Sequence, residues 1–349
     1  MIGWPEPKGG YKPIEEIEAA FNGQNAIHPP KTGAREETNL LSLRAGRKNA
    51  LALSLEPAPK VETLPLGGQP GVVVKGLSNV LGAYPKVGKT TLVWHSLLDW
   101  LEEYRIVYIT EEPELIWRVR LSDFVSSLGH PLGGRIESKL RNLDLVFVAG
   151  RSPEDLLEEA FGGTEEIAIV DTLRHVLRFS QEADNSEIAA QVTPWIEAAR
   201  TAKKTFLGLH HQTKAGGEHG RGLAGGHALL GVFDMAIEVD RSRNLPNRRK
   251  VSGLGRLEPV EDYYYELQDG QIRTLGEVAQ VEAAGVRRRT LESLSLVAQE
   301  FKAIHEDMDE PRPGHQHVRD ALKALVDSGD VIREGSGKKG DPYRWRSAP

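Results

Sequence analysis

Cysteine is absent from the 349 residues, so neither a disulfide framework nor a thiolate metal site can take part in how this chain folds or works. Its absence also leaves no basis for thiol redox chemistry. No run of about 18 apolar residues occurs, so no segment reads as a membrane-spanning helix. The opening residues Met1-Ile2-Gly3-Trp4-Pro5 lack the basic-then-apolar order of a secretory signal, and the expected location is the cytoplasm. A general basic excess is missing as well. With a formal net charge of -6, any contact with nucleic acid has to come from local patches. What is present is globular material, 39% hydrophobic and 27% charged, enough for a sizeable core. The length favours one large domain with one or two small ones.

Three regions follow from the pattern. Residues 1–70 are rich in proline and glycine, with one short amphipathic run at Ile14, Ile17 and Phe21, and are expected to form an arm. Such an arm either packs on a neighbouring subunit or stays partly disordered. Residues 71–279 alternate short apolar runs with helical stretches, which predicts an α/β domain with a mostly parallel sheet flanked by helices. Five or six strands are expected, near Leu77 to Leu81, Arg105 to Thr110, Leu143 to Val148, Ile167 to Val170, Phe206 to Leu209 and Met235 to Val239. Helices are expected over Thr90 to Leu101 and from Asn185 onward, the latter bent or delayed by Pro194. Residues 280–349 are expected to form a small domain: a helix near Leu291 to Ile304, a second from Gly314 to Ser328, and a hairpin with a basic tip at Lys338 and Lys339.

The stretch Gly82-Ala83-Tyr84-Pro85-Lys86-Val87-Gly88-Lys89-Thr90-Thr91 sits between an apolar strand and an amphipathic helix, the context a phosphate-binding loop requires. Its first glycine is one residue early, and Ala83 holds the place the strict pattern gives to glycine. Backbone N–H groups in such a loop turn toward phosphate oxygens, Lys89 offers a point charge to the β and γ phosphates of ATP, and the Thr90 hydroxyl can ligate Mg²⁺. Thr91 is expected near the α phosphate. Asp171 closes an apolar strand well downstream and suits the acid that positions Mg²⁺. Hydrolysis also needs a base to orient water, and Glu111 and Glu112, at the tip of the strand expected beside the loop, are the candidates, Glu111 preferred. His210 and His211 end a further strand, where one of them is expected to face the γ phosphate.

These segments resemble a known family, the RecA-like P-loop ATPases of the AAA-25 group related to plasmid RepA helicases. The resemblance rests on LGAYPKVGKTTL at Leu81 to Leu92, VYITEEP at Val107 to Pro113, IAIVDTLR at Ile167 to Arg174, DNSE at Asp184 to Glu187, LHHQTKAGG at Leu209 to Gly217, and RGLAGGHALLGVFDMAIEV at Arg221 to Val239. The chain departs from the family pattern at the first loop glycine, at GGHALLG and at the doubled Glu111-Glu112. Similarity to hexameric replicative helicases implies a homohexamer with ATP sites shared between subunits and single-stranded DNA through the ring. A shared site takes a cation from the neighbour. Arg256, in Gly255-Arg256-Leu257, resembles that finger, within a basic run of Arg241, Arg243, Arg248, Arg249, Lys250 and Arg256; Arg221 is a second candidate. The C-terminal region looks like a winged helix, with His315, Gln316, Arg319 and Lys323 facing a duplex groove and Lys338, Lys339, Arg344 and Arg346 on the wing. The activity expected is that of a DNA-acting ATPase, a helicase or helicase-like motor; the alternatives are an ATP-gated DNA-binding regulator and a recombination or repair ATPase.

Overall fold

The computed structural model describes residues 49–127, 134–180, 185–212, 226–242, 245, 247–257, 260–268 and 271–349. Most of the arm, residues 1–48, therefore lies outside the described residues. The chain divides into two units, Met1–Lys60 and Val61–Pro349. In the first, a short helix α1 (Ala50–Leu55) is capped by Asn49, whose side-chain oxygen accepts the amides of Leu51 and Ala52 at 2.9 and 3.3 Å.

The second unit opens with a hairpin, β1 (Thr63–Leu66) and β2 (Gln69–Val74), across residues that the sequence reading divides between arm and main domain. Alternation puts Leu64 and Leu66 of β1 in the core, and β2 adds the consecutive buried run Val72 to Val74. Then come β3 (Ser78–Ala83), α2 (Lys89–Trp100), β4 (Ile106–Thr110), α3 (Glu114–Ser127), α4 (Arg135–Leu140), β5 (Leu143–Phe147), α5 (Pro153–Phe161), β6 (Ile167–Asp171), α6 (Leu173–Leu177), α7 (Asn185–Ala202), β7 (Thr205–His211), α8 (Gly226–Val232) and β8 (Met235–Arg241). Pro194 sits inside α7, which continues through it. All six strands expected from the sequence form, and they are parallel to one another.

The sheet is larger than the expected five or six strands. Among the described residues it has nine, because β9 (Arg248–Gly255), β10 (Tyr263–Gln268) and β11 (Gln271–Glu277) extend it antiparallel in the order β11-β10-β9-β8-β3-β7-β6-β4-β5. These three strands carry arginines, tyrosines and glutamates rather than an apolar run, so hydrophobic periodicity does not reveal them. One face of the sheet packs against α2, α3 and the β1–β2 hairpin through Leu92, Leu97, Trp100 and Trp117. The other face packs against α5 to α8 through Leu156, Val176, Ile188, Trp195 and Phe233.

The last part contains α9 (Val278–Glu292), β12 (Gln299–Glu300), α10 (Phe301–Glu306), α11 (His315–Ser328), β13 (Val331–Glu334) and β14 (Arg344–Ser347). The helix expected over Leu291 to Ile304 is not one element. α9 ends at Glu292, where the Ser295 hydroxyl accepts the Val297 amide at 3.2 Å and the Gln299 side-chain oxygen accepts the Ser295 amide at 3.1 Å. Local side-chain bonds of this kind compete with helical ones. α11 spans the second expected helix and ends at Gly329, whose φ of 84° suits a residue without a Cβ. Ile304, Met308, Val318 and Leu322 form a small core there, with β12, β14 and β13 as a three-stranded antiparallel sheet.

Candidate functional site

The phosphate loop, Glu111, Asp171 and His211 all lie at the carboxyl ends of the parallel strands, where open α/β sheets place their ligands. Gly82 and Ala83 are the last residues of β3, so the loop proper runs from Tyr84 to Gly88 and the displaced glycine belongs to the strand. Tyr84, Pro85 and Lys86 are exposed, while Val87 is buried. Gly88 begins α2 in the left-handed region, φ 105°, and a Cβ there would lie 3.0 Å from Leu267 on β10. The positive φ is what calls for glycine at this position, and the close leucine leaves little room for a side chain.

Lys89 follows, buried at 7% exposure, and its ammonium donates to the His210 carbonyl oxygen at 3.3 Å. Burial pushes its pKa down, against the pull of Asp171 and Glu111. Thr90 donates its hydroxyl to Asp171 Oδ2 at 2.8 Å, and the same oxygen accepts the Tyr108 hydroxyl at 2.7 Å. Asp171 is 3% exposed at the end of β6. Thr91 is half-buried on the first turn of α2.

The sequence reading sets Glu111 and Glu112 on a strand beside the loop. That neighbourhood is corrected by the sheet order: β7 and β6 lie between β3 and β4. Glu111 reaches the site because β4 runs beside β6: Glu111 follows Thr110, the partner of Asp171, and its amide donates to the Asp171 carbonyl at 2.9 Å. Its carboxylate accepts the Thr172 hydroxyl at 3.2 Å and meets the His175 ring. Partial burial pushes the Glu111 pKa up, with His175 pulling it down and Asp171 pushing it further up. Glu112 points elsewhere, held by Arg120 through both oxygens at 2.6 and 3.1 Å.

His210 and His211 diverge. The fully buried His210 ring meets Phe179 edge-on, on the sheet face covered by α5 to α8. His211, in register with Ala83, is half-buried and shares the opposite face with Leu207 and Leu209, the face on which α2 packs.

Arg256 is not brought to this site. It pairs with Asp234 at 3.2 Å and donates to the Gly231 carbonyl at 3.0 Å, at the amino end of β8. Two more of the basic run are engaged in pairs, Arg248 with Glu266 at 3.3 Å and Lys250 with Asp262 at 2.7 Å. Arg249 Nε donates to the Val87 carbonyl. Asp184, Thr213 to Gly217, Arg221 and Arg243 lie outside the described residues.

Three residues here escaped the sequence reading, Tyr108, Thr172 and His175, and a fourth, Arg249, entered it only as one of a basic run. Thr172 and His175 lie within a few residues of Asp171, a proximity the sequence displays, whereas Tyr108 and Arg249 meet the site only through strand pairing.

A glycine-started helix carrying Lys89 and Thr90 after a parallel strand, with an acid on a second strand bonded to Thr90, defines a P-loop nucleotide-binding α/β protein. The AAA_25 family model, described as an AAA domain, matches residues 68–217. No curated protein matches the chain. Among solved structures, the chain is similar to a KaiC-like protein from the hyperthermophilic archaeon Pyrococcus horikoshii OT3. That similarity is 16% identity over 63% of this chain and 100% of the other, with a TM-score of 0.46. A RadB recombinase is similar at 15% identity over 59% and 94%, with a TM-score of 0.42. No helix among the described residues is long and apolar enough to cross a membrane.

Proposed function

We propose that this protein hydrolyses Mg-ATP and couples the turnover to DNA. The observation that supports this reading best is the meeting of Lys89, Thr90, Asp171 and Glu111 at the carboxyl end of the sheet. Loop amides from Tyr84 to Gly88 and the Lys89 ammonium bind the phosphates. The two hard oxygens of Thr90 and Asp171, 2.8 Å apart, suit Mg²⁺, which takes few protein ligands and keeps water and phosphate for the rest. When bound, the ion neutralises charge on the β and γ phosphates. Glu111 accepts the proton of the attacking water, oriented by Thr172 and His175, while Glu112 has a structural role with Arg120. His211, on the α2 face, senses the γ phosphate.

Arg256 serves a neighbour's site in a homo-oligomer, expected to be a hexamer. Residues 280–349 act as a winged helix, with α11 toward a duplex groove and Lys338 and Lys339 toward phosphates. The chain then works as a helicase-like motor. ATP turnover measured with and without single-stranded DNA tests the coupling, and equal rates would remove it. Unwinding of a forked duplex, lost in Lys89→Ala, supports the motor. ATP-dependent DNA binding without unwinding would instead favour an ATP-gated regulator.

A further inference from the structure

Asp171 accepts two hydroxyl protons on one oxygen. Thr90 supplies one from the phosphate loop, and Tyr108 supplies the other from the neighbouring strand β4, at 2.8 and 2.7 Å. Tyr108 is 0% exposed, so turning the carboxylate away would leave a buried hydroxyl without the acceptor it has here.

The tyrosine ring is itself braced. Trp117 packs against it with centroids 4.9 Å apart and donates its indole N–H to Thr110 Oγ1 at 3.2 Å. Trp94, four residues beyond Thr90 on α2, meets Trp117 edge-on at 5.7 Å. The helix that carries Thr90 and the strand that carries Tyr108 are thus packed into one aromatic block, with Asp171 suspended between them.

We propose that Tyr108 is a positioning residue that fixes the Asp171 carboxylate facing Thr90 and thereby sets how strongly magnesium and nucleotide bind together. This rests on the nucleotide reading above. Thr90 is expected to give its oxygen to the ion, and the Tyr108 hydroxyl is then what keeps Asp171 in its rotamer. It touches neither nucleotide nor ion.

The experiment is calorimetric titration with ADP, in magnesium chloride and in excess chelator, on wild type, Tyr108→Phe, Asp171→Asn and the double variant. Wild type gains affinity from magnesium; Tyr108→Phe is expected to lose about 10-fold of that gain, with its affinity in chelator unchanged. The double variant should match Asp171→Asn alone, because Tyr108 acts through that carboxylate. Near-ultraviolet dichroism of Trp94 and Trp117 checks that the block survives. If Tyr108→Phe does not fold, Trp117→Phe loosens the same ring and should lower the same gain, by less. An undiminished gain overturns the proposal, as does an equal loss in both buffers or additivity in the double variant. Wild type that takes up ADP in neither buffer removes the nucleotide reading itself, a result distinct from a failure of Tyr108 alone.

Discussion

The Arg249 guanidinium donates to the carbonyl oxygen of Val87 at 2.9 Å, so a strand that follows the loop by more than half the domain holds the loop's last turn. Arg249 is 6% exposed, and Leu267 from the next strand covers Gly88. The antiparallel extension of the sheet is therefore the wall of the phosphate loop.

Arg249→Met should loosen that loop. A charged hydrogen bond of this kind contributes about 1.5–3 kcal/mol to the folded loop, so the KM for ATP should rise by about 10-fold or more, with a smaller change in kcat. Steady-state kinetics check this, and an unaltered KM would mean that the loop keeps its shape without the arginine.

Glu111 and Glu112 should separate cleanly in a mutational test. Glu111→Gln is expected to lower kcat by about 100-fold or more while nucleotide binding persists. Glu112→Gln breaks the pair with Arg120 and should cost only about 1 kcal/mol of stability. Rapid-quench turnover and thermal melting measure the two effects.

The pH profile carries a related signature. Burial raises the Glu111 pKa, and a base must be ionised, so the rate should fall with decreasing pH at values above the usual glutamate range. His175→Gln removes the electrostatic influence that lowers that pKa and should move the acid limb higher still. A limb that stays where it was would detach His175 from the base.

Lys89 is a buried cation with a depressed pKa, so its charge costs folding energy at neutral pH, a penalty relieved as pH rises toward the unfolded value of 10.5. Lys89→Met should accordingly melt no lower than wild type at pH 7 and yet lose ATP turnover by about 100-fold or more. A melting scan beside an ATPase assay tests both halves.

On the C-terminal hairpin, Arg346 is paired with Glu334 at 2.7 Å and Arg344 lies 3.8 Å from Glu300, whereas Lys338 and Lys339 are exposed at the turn. Replacing both lysines with alanine should weaken duplex DNA binding and make the salt dependence shallower by about 0.9 per lost phosphate contact. Arg346→Ala should change that slope less. Fluorescence anisotropy across a salt series distinguishes them.

The parallel half of the sheet and the loop from Gly82 to Thr91 were legible in the sequence because their signals are local: unbroken apolar runs, a glycine before a lysine, a helix after it. Asp171 was legible for the same reason, as a carboxylate ending such a run. Three-dimensional pairing alone brought in β9 to β11, whose polar strands carry no apolar period, and with them Arg249. It also gave Glu111 and Glu112 different surroundings, which neighbouring positions could not reveal, because Arg120 on α3 captures one carboxylate and Thr172 with His175 receives the other. Tyr108 belongs to the same class. On paper it is one more apolar residue in Ile106 to Thr110, and only the packing of β4 beside β6 turns its hydroxyl into a partner for Asp171.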